Sequence, residues 1–364
     1  MLIIALSLLG ASFIVLLVYI STLLFTKDKA HSTTQFVSVD IIVAARNEEA
    51  NIERCIQSLL KLDYPVEKLS IFIGNDMSED KTGEIITKYA AQHPHLTQIT
   101  IQNQRSGLKG KTNVLAQLIH QSSSDYIFIT DADISVPTQW VQQLLSKLKN
   151  PKVGMISGTT LMEGRSLFDK MQQLDWTFGM GVNRAHEQLN IPVTGVGNNM
   201  AFKRAAYESL GGYEKLGFSV IEDYLLFKKM CEEGEWEFRS DLHPDSLCIS
   251  NPVSFKDLLK QRQRWFKGAR ILTWYNLALL TLNTLVVPAL IVLAFYNVKY
   301  ALICYGIKLL QDFIFLFITL SKVNKLKYLL WFPIYEVYYQ ITSLFWMSAL
   351  WIPVKVKWKG RVFE

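Results

Sequence analysis

Two aspartates separated by one residue, Asp131 and Asp133, follow the apolar run Tyr126–Thr130. Carboxylates at i and i+2 leaving a buried strand can share a divalent cation bridging a diphosphate, and hard oxygen ligands suit Mg2+ or Mn2+. The spacing alone is weak, since composition gives about one such pair in a chain this size. Its place after an apolar strand raises it. A second acidic pair, Glu222 and Asp223, opens a helical pattern. Acids are ordinary in a first helical turn, where they complement the dipole. A carboxylate there, near a metal-bound diphosphate, could also deprotonate an acceptor hydroxyl for attack on a sugar. A third cluster, Gln261, Arg262, Gln263, Arg264 and Trp265, lies in a basic segment of helical period. Such a helix can lie on anionic lipid. Its arginines can instead grip phosphate oxygens, and its Trp offers a flat face to a sugar ring or lipid.

These residues need elements to position them. Short apolar runs at 37–45, 69–74, 96–102, 126–130 and 153–157 read as strands, and 49–61, 81–93, 111–121 and 138–149 as helices between them. Alternating β and α segments imply a mostly parallel sheet covered by helices. Ligands of such sheets bind at the carboxyl ends of the strands. Four successive strand ends here carry polar groups: Arg46-Asn47-Glu48-Glu49, Asn75-Asp76-Met77-Ser78, Gly107 to Lys111, and Asp131-Ala132-Asp133. Each alone can be a helix cap or first turn. Four on one rim are better read as a site. Between the metal pair and the candidate base, Leu167, Met171, Leu174 and Phe178 recur at helical spacing, as a core helix or as an interfacial helix guiding a lipid acceptor. The glycines of 195–200 permit close backbone approach to a sugar. His93, His95, His186 and His243 have no paired metal spacing and read as structural or surface residues.

Half of the 364 residues are hydrophobic and only 19% are charged, with a mean hydropathy of +0.16. That argues against a wholly soluble or disordered chain. The net charge of +6 is too small for the length to suggest nucleic acid as a partner. Cys55, Cys231, Cys248 and Cys304 form no CxxC pair and read as free thiols in a reducing compartment. No charge occurs from Met1 to Phe25, enough for a spanning helix, and Lys27 and Lys29 follow. The start lacks a basic n-region, which favours an uncleaved anchor with its C-terminal end in the cytoplasm. The expected layout is an anchor at 1–26, a cytoplasmic catalytic domain at 37–252, an amphipathic interfacial helix at 253–270, about three spans at 271–354 and a basic tail at 355–364. Trp274, Tyr275, Tyr296, Tyr300, Trp331 and Trp351 cluster near the span ends as an interfacial belt would. Four crossings in all would leave the tail outside, whereas its Lys355, Lys357, Lys359 and Arg361 favour the cytoplasm. A last segment re-entrant or broken near Pro333 would remove the conflict.

The ordered set VDIIVAARNEE, NDMSED, GLKGKTNVL, DAD, GNNMAF, IED and QRQRW resembles membrane-bound glycosyltransferase family 2, in the style of ceramide glucosyltransferases and of cellulose and hyaluronan synthases. A Q-x-x-R-W match alone is expected in about one chain in a hundred. The resemblance covers about residues 37–270. It implies an α/β GT-A fold with a mostly parallel central sheet, transmembrane helices at both ends, and a divalent metal, Mg2+ or Mn2+. It implies that Asn47, Glu48 and Asp76 hold the base and ribose, and that Lys111 sits near the diphosphate. Asp131 would contact nucleotide and metal, Asp133 the metal, and Asp223, beside Glu222, would be the base. Gln261, Arg264 and Trp265 would close over the diphosphate and define the acceptor end. Two departures stand out: Asn75-Asp76-Met77-Ser78 where the family often has two acids and a Gly, and Ile221 where many members have Thr.

The resemblance therefore implies an inverting hexosyl or N-acetylhexosaminyl transferase in a bacterial inner membrane. It would move sugar from a nucleotide-diphospho-sugar, a UDP-sugar being expected, to a membrane lipid or lipid-linked acceptor. The alternative is a processive polysaccharide synthase exporting a growing glycan, for which so few spans make a poor channel unless the chain oligomerises. A remoter alternative is a transporter or scaffold, prompted by Lys308, Asp312 and Glu336 within apolar segments. A self-neutralising Lys308–Asp312 pair at i,i+4 is the plainer account.

Overall fold

The computed structural model describes residues 1–27, 35–105, 107–233, 235–268, 273–349, 356–358 and 361–363. Lys29, Trp351, Lys355 and Lys359, cited above, lie outside the described residues. Along the chain the strands are β1 (Val39–Ala45), β2 (Leu69–Asn75), β3 (Leu96–Thr100), β4 (Tyr126–Asp131), β5 (Ile134–Ser135), β6 (Val153–Ser157), β7 (Thr160–Met162), β8 (Asn199–Lys203), β9 (Glu237–Ser240), β10 (Cys248–Ser250), β11 (Val356–Trp358) and β12 (Arg361–Phe363). The helices are α1 (Leu2–Phe25), α2 (Ile52–Leu59), α3 (Thr82–Ala90), α4 (Gly110–Gln121), α5 (Trp140–Leu148), α6 (Leu167–Gln188), α7 (Arg204–Ser209), α8 (Gly212–Leu216), α9 (Glu222–Glu232), α10 (Phe255–Gly268), α11 (Trp274–Thr284), α12 (Val286–Tyr296), α13 (Val298–Lys322) and α14 (Phe332–Ala349).

The chain divides into two compact units. The α/β unit comprises Asp28–Met162 and Thr194–Asn251. Its main sheet has the order β3-β2-β1-β4-β8-β6-β9, with β5, β10 and β7 in a smaller sheet. β3, β2, β1 and β4 run parallel, and β8 is antiparallel to both of its neighbours. β6 and β9 pair in parallel, so β8 alone runs against the other six strands, and the sheet is mixed but mostly parallel, as expected. β1 and β4 are central, and Ile41, Ile42, Val43, Ile127, Phe128 and Ile129 are wholly buried. That is why they read as continuous apolar runs rather than alternating ones. β8 was not foreseen. Its first two residues, Asn199 and Met200, lie in the stretch 195–200 expected only to approach a sugar.

The helical unit comprises Met1–Lys27, Glu163–Val193 and Pro252–Glu364. Glu163–Val193 of this unit lies inside the stretch 37–252 expected as the catalytic domain. Met171 and Leu174 of α6 are buried with Leu316, Leu320 and Tyr335, which assigns α6 to the helical unit by apolar burial. Ser166 and Asp169 start α6 with a reciprocal capping box. α1 packs against α6, α12 and α13, burying Ala5 and Leu9 with Val286, Ala289 and Leu293.

Among the described residues, α1 and α13 are each long and apolar enough to cross a membrane. α11 and α12 form a pair bent by 41°. The bend precedes Pro288, which has no N–H for the carbonyl of Thr284, its helical partner four residues back. Pro333 instead lies at the start of α14. Lys308 bonds to both Asp312 and Glu336. The expected i,i+4 pair is thus a three-group cluster joining α13 to α14. The four cysteines are free thiols, as expected.

Candidate functional site

Sheet register gathers the site of the α/β unit. Ala45 pairs with Asn75, Ala44 with Asp131, Asn75 with Thr100, and Thr130 with Asn199. The carboxyl ends of β1 to β4 and the start of β8 therefore share one rim. Strand order reverses between β1 and β4, which opens the crevice where ligands of such sheets bind. Asp40 shows that a strand acid need not belong there. It lies at the other end of β1, 1% exposed, and accepts from the N–H groups of Ser123 and Ser124 at 2.8 and 2.7 Å.

The loops after β1 and β2 are clipped together. Asn47 adopts a left-handed φ of 51°. Its backbone N–H donates to Ser78 Oγ at 3.1 Å, and its Oδ1 accepts from Glu79 N–H at 2.9 Å. Glu48 N–H donates to Thr82 Oγ1 at 2.7 Å, while its carboxylate accepts from Asn51 Nδ2 at 2.8 Å. Asp76 follows β2, buried, with its N–H on Ala45 O at 2.9 Å. The three residues expected to hold base and ribose thus share one rim. Asn47 Oδ1 is engaged in holding the loop.

At the centre, Lys111 rises from the first turn of α4. Its Nζ lies 2.6 Å from Asp131 Oδ1 and 2.9 Å from Glu222 Oε1. Burial alone would lower the lysine pKa, but Asp131, Glu222 and Asp223 more than offset it and hold the ammonium charged. Burial pushes Glu222 above the usual carboxylate range, Lys111 pulls it down, and Asp223 pushes it up. Asp223 is fixed differently. Its Oδ2 accepts from Gly197 N–H at 2.9 Å and its Oδ1 from Tyr224 N–H at 2.8 Å. Ile221 is the N-cap of α9 and has no side-chain oxygen to donate to. The Asp223 carboxylate bonds a first-turn N–H instead.

Asp133 sits in the turn between β4 and β5, where Arg54 donates to its carbonyl. Among the described residues no three His, Cys, Asp or Glu side chains gather as a ligand cluster. Asp131 and Asp133 therefore fit a hard cation only as a minority donor set completed by phosphate and water oxygens, the habit of Mg2+ sites. His243 caps the short turn at Pro244 by accepting from Asp245 N–H at 3.2 Å.

Gln261, Arg264 and Trp265 lie on α10 of the helical unit. There the Trp265 ring meets Trp176 of α6 edge-on at 5.7 Å, and the Arg262 guanidinium lies 4.6 Å over it. Arg262 also pairs with Asp175. Sequence reasoning missed Gly197 as the brace of Asp223. It also missed Asn199, whose side chain accepts from Trp140 Nε1 at 2.8 Å and donates to Thr159 O and Ser246 O at 2.8 and 2.9 Å. The tandem asparagines of GNNMAF were the available signal, since amides inside an apolar run must find partners.

The family model described as glycosyl transferase family 21 matches residues 2–364. The chain is 27% identical to beta-monoglucosyldiacylglycerol synthase of Synechocystis sp. over 247 residues, 65% of this chain and 49% of that one. It is 29% identical to poly-beta-1,6-N-acetyl-D-glucosamine synthase of Staphylococcus aureus over 234 residues, 63% of this chain and 54% of that one. It thus spans about half the length of the curated relatives it matches. A solved mannosyltransferase, PcManGT from Pyrobaculum calidifontis in complex with GDP-Man and Mn2+, superposes with a TM-score of 0.60 at 21% identity. The match covers 93% of this chain and 99% of that one. The GT-A fold expected from the motifs is borne out by that likeness.

Proposed function

The chain belongs to glycosyl transferase family 21, and on that premise we propose that it transfers a hexose or N-acetylhexosamine, with inversion, from a UDP-sugar to a membrane lipid. The observation that carries the reading is the chain of charges at the strand ends: Asp131, Lys111 and Glu222 bonded in series, with Asp223 held beside them by Gly197. In this reading Asn47, Glu48 and Asp76 line the nucleoside end, and Lys111 offers its charge to the diphosphate. Asp131 and Asp133 would hold a divalent cation, which when bound neutralises the departing diphosphate. Asp223 accepts the proton of the acceptor hydroxyl while its oxygen bonds to the anomeric carbon and the carbon–phosphate-oxygen bond breaks. Glu222, buried on Lys111, positions that lysine. For Gln261, Arg264 and Trp265 a role at the diphosphate and acceptor ends rests on the motif resemblance alone.

The lipid acceptor is favoured over a growing polymer because the described residues contain two candidate spans, or three if the bent pair is one. A glycan crossing the bilayer needs a path enclosed by protein, which so few helices enclose poorly. The packing of β11 against α10 supports a reading in which the chain before α11 and after α14 shares one membrane side. The segment between them then crosses an even number of times, which suits a cytoplasmic basic tail. In this reading the site faces the cytoplasm at a bacterial inner membrane.

A donor panel tests the reading. The detergent-purified chain is given UDP-glucose, UDP-N-acetylglucosamine or GDP-mannose with membrane lipid extract, and both nucleoside diphosphate and product are followed. A single-sugar lipid is expected. A ladder of long products would establish the polymerase reading, and no turnover with any donor would defeat both.

A further inference from the structure

Within the helical unit, α6 and α10 run side by side. Phe168 meets Phe255 at 6.0 Å, Asp175 pairs with Arg262, and Trp176 meets Trp265 at 5.7 Å. One turn before Trp176 on α6 stands Gln173, wholly buried. Neither Gln173 Oε1 nor Nε2 has a hydrogen-bond partner, and the buried indole N–H of Trp176 has none either. On the facing helix the buried Oε1 of Gln261, one turn before Trp265, also has none. Buried polar atoms are almost always satisfied, and leaving one bare costs more than a typical bond returns. Four such atoms on two neighbouring helices, beside two touching indole rings, have the composition of a binding site.

We propose that Gln173 and Trp176 are acceptor-recognition residues, taking the hydroxyl groups of a neutral lipid head group against the Trp176–Trp265 pair. The proposal rests on the lipid-acceptor reading above. The charged neighbours Asp175 and Arg262 neutralise each other, so the α6 side presents an amide and an indole. Those groups donate to and accept from hydroxyls, and they add no net charge for a phosphate. The apolar flank formed by Phe168, Phe178 and the tyrosines of α14 continues the same helix, as a head group attached to a hydrocarbon requires.

The test uses the full chain in mixed micelles with diacylglycerol, ceramide or a polyprenyl phosphate as acceptor. Gln173→Leu and Trp176→Phe are compared with the parent for acceptor KM, donor KM and melting temperature. Trp176→Phe keeps a ring against Trp265 and removes only the N–H. The acceptor KM is expected to rise by about 5- to 10-fold in each variant, the range of one or two lost neutral hydrogen bonds. Donor KM stays unchanged, and Gln173→Leu melts at the same temperature or higher, because an unsatisfied amide has been removed. Unchanged acceptor KM in both variants, or a lowered melting temperature without a KM effect, would assign the two residues to packing. Should Gln173→Leu fail to fold, Trp176→Phe alone decides. Transfer by the parent to the polyprenyl phosphate only would overturn the neutral head group. Transfer to no lipid would defeat this inference together with the reading it rests on, whereas transfer with insensitive variants defeats this inference alone.

Discussion

The backbone N–H of Gly197 donates to Oδ2 of Asp223 at 2.9 Å across a sequence separation of 26 residues. A Cβ added at position 197 would fall within 2.7 Å of three Asp223 atoms. Glycine is therefore required there for closeness to the carboxylate. Gly197→Ala is expected to move Asp223 and lower kcat on the order of 100-fold, the scale of a misplaced reacting group. Donor KM should stay near the parent value, because the residues proposed for the nucleoside, Asn47, Glu48 and Asp76, lie elsewhere on the rim. Steady-state kinetics with varied donor checks this, and a parent-like kcat would remove the brace from the mechanism.

Asp223→Asn keeps the shape and one of the two bonds from Gly197 and Tyr224 N–H, and removes the proposed base. Turnover should fall by about 100-fold or more, while titration with the nucleoside diphosphate gives parent-like affinity. Near-normal turnover would sink the base assignment.

Lys111→Met leaves Glu222 buried without its cation, a change worth about 3 kcal/mol of stability. Glu222 already sits above the usual carboxylate range through burial, and the loss of Lys111 raises it further. A folded-state value above the unfolded one means that the folded protein binds this proton more tightly. Stability then falls as pH rises from about 4.3, the ordinary glutamate value, through the raised value. Melting curves across that window should show a steeper fall for the variant than for the parent. Parallel curves would show that Lys111 does not compensate Glu222.

Asp133→Ala should lose both transfer and any stimulation by added Mn2+. If the purified variant is still stimulated by Mn2+ as strongly as the parent, Asp133 is not a metal ligand.

Asn199→Ala removes one side chain from three buried bonds and strands the Trp140 indole and two carbonyls. A loss of about 2–4 kcal/mol is expected, read by thermal unfolding. An unshifted melt would show that these bonds carry no net stability.

Most of the parallel strands were legible because central buried strands leave continuous apolar runs, and the boundaries of β2, β4 and β6 fall within a residue or so of the expectation. β8 was hidden because Asn199–Lys203 reads as a polar-led loop, its amide being satisfied only by chain distant in sequence. The interleaving of the two units along the chain was hidden for a similar reason. α6 carries a helical apolar stripe, and such a stripe does not say which body will cover it. Acids were legible by type but not by duty: Asp40 and Asp131 both occupy central strands, and only register shows that they stand at opposite ends. Glu222 and Asp223 are neighbours in sequence, yet one is held by an ammonium and the other by a backbone N–H.

The alternation of the two units along the chain bears on how this protein can be handled and made. Cutting away residues 1–27 and everything after Asn251 would still leave Glu163–Val193 in the fragment, with Met171 and Leu174 stripped of their partners. End trimming alone therefore yields a detergent-dependent fragment, and a water-soluble catalytic piece needs an internal excision as well. During synthesis the same order delays maturation: β8 and β9 emerge only after α6, so the central sheet stays incomplete while a helix destined for the other body is already off the ribosome.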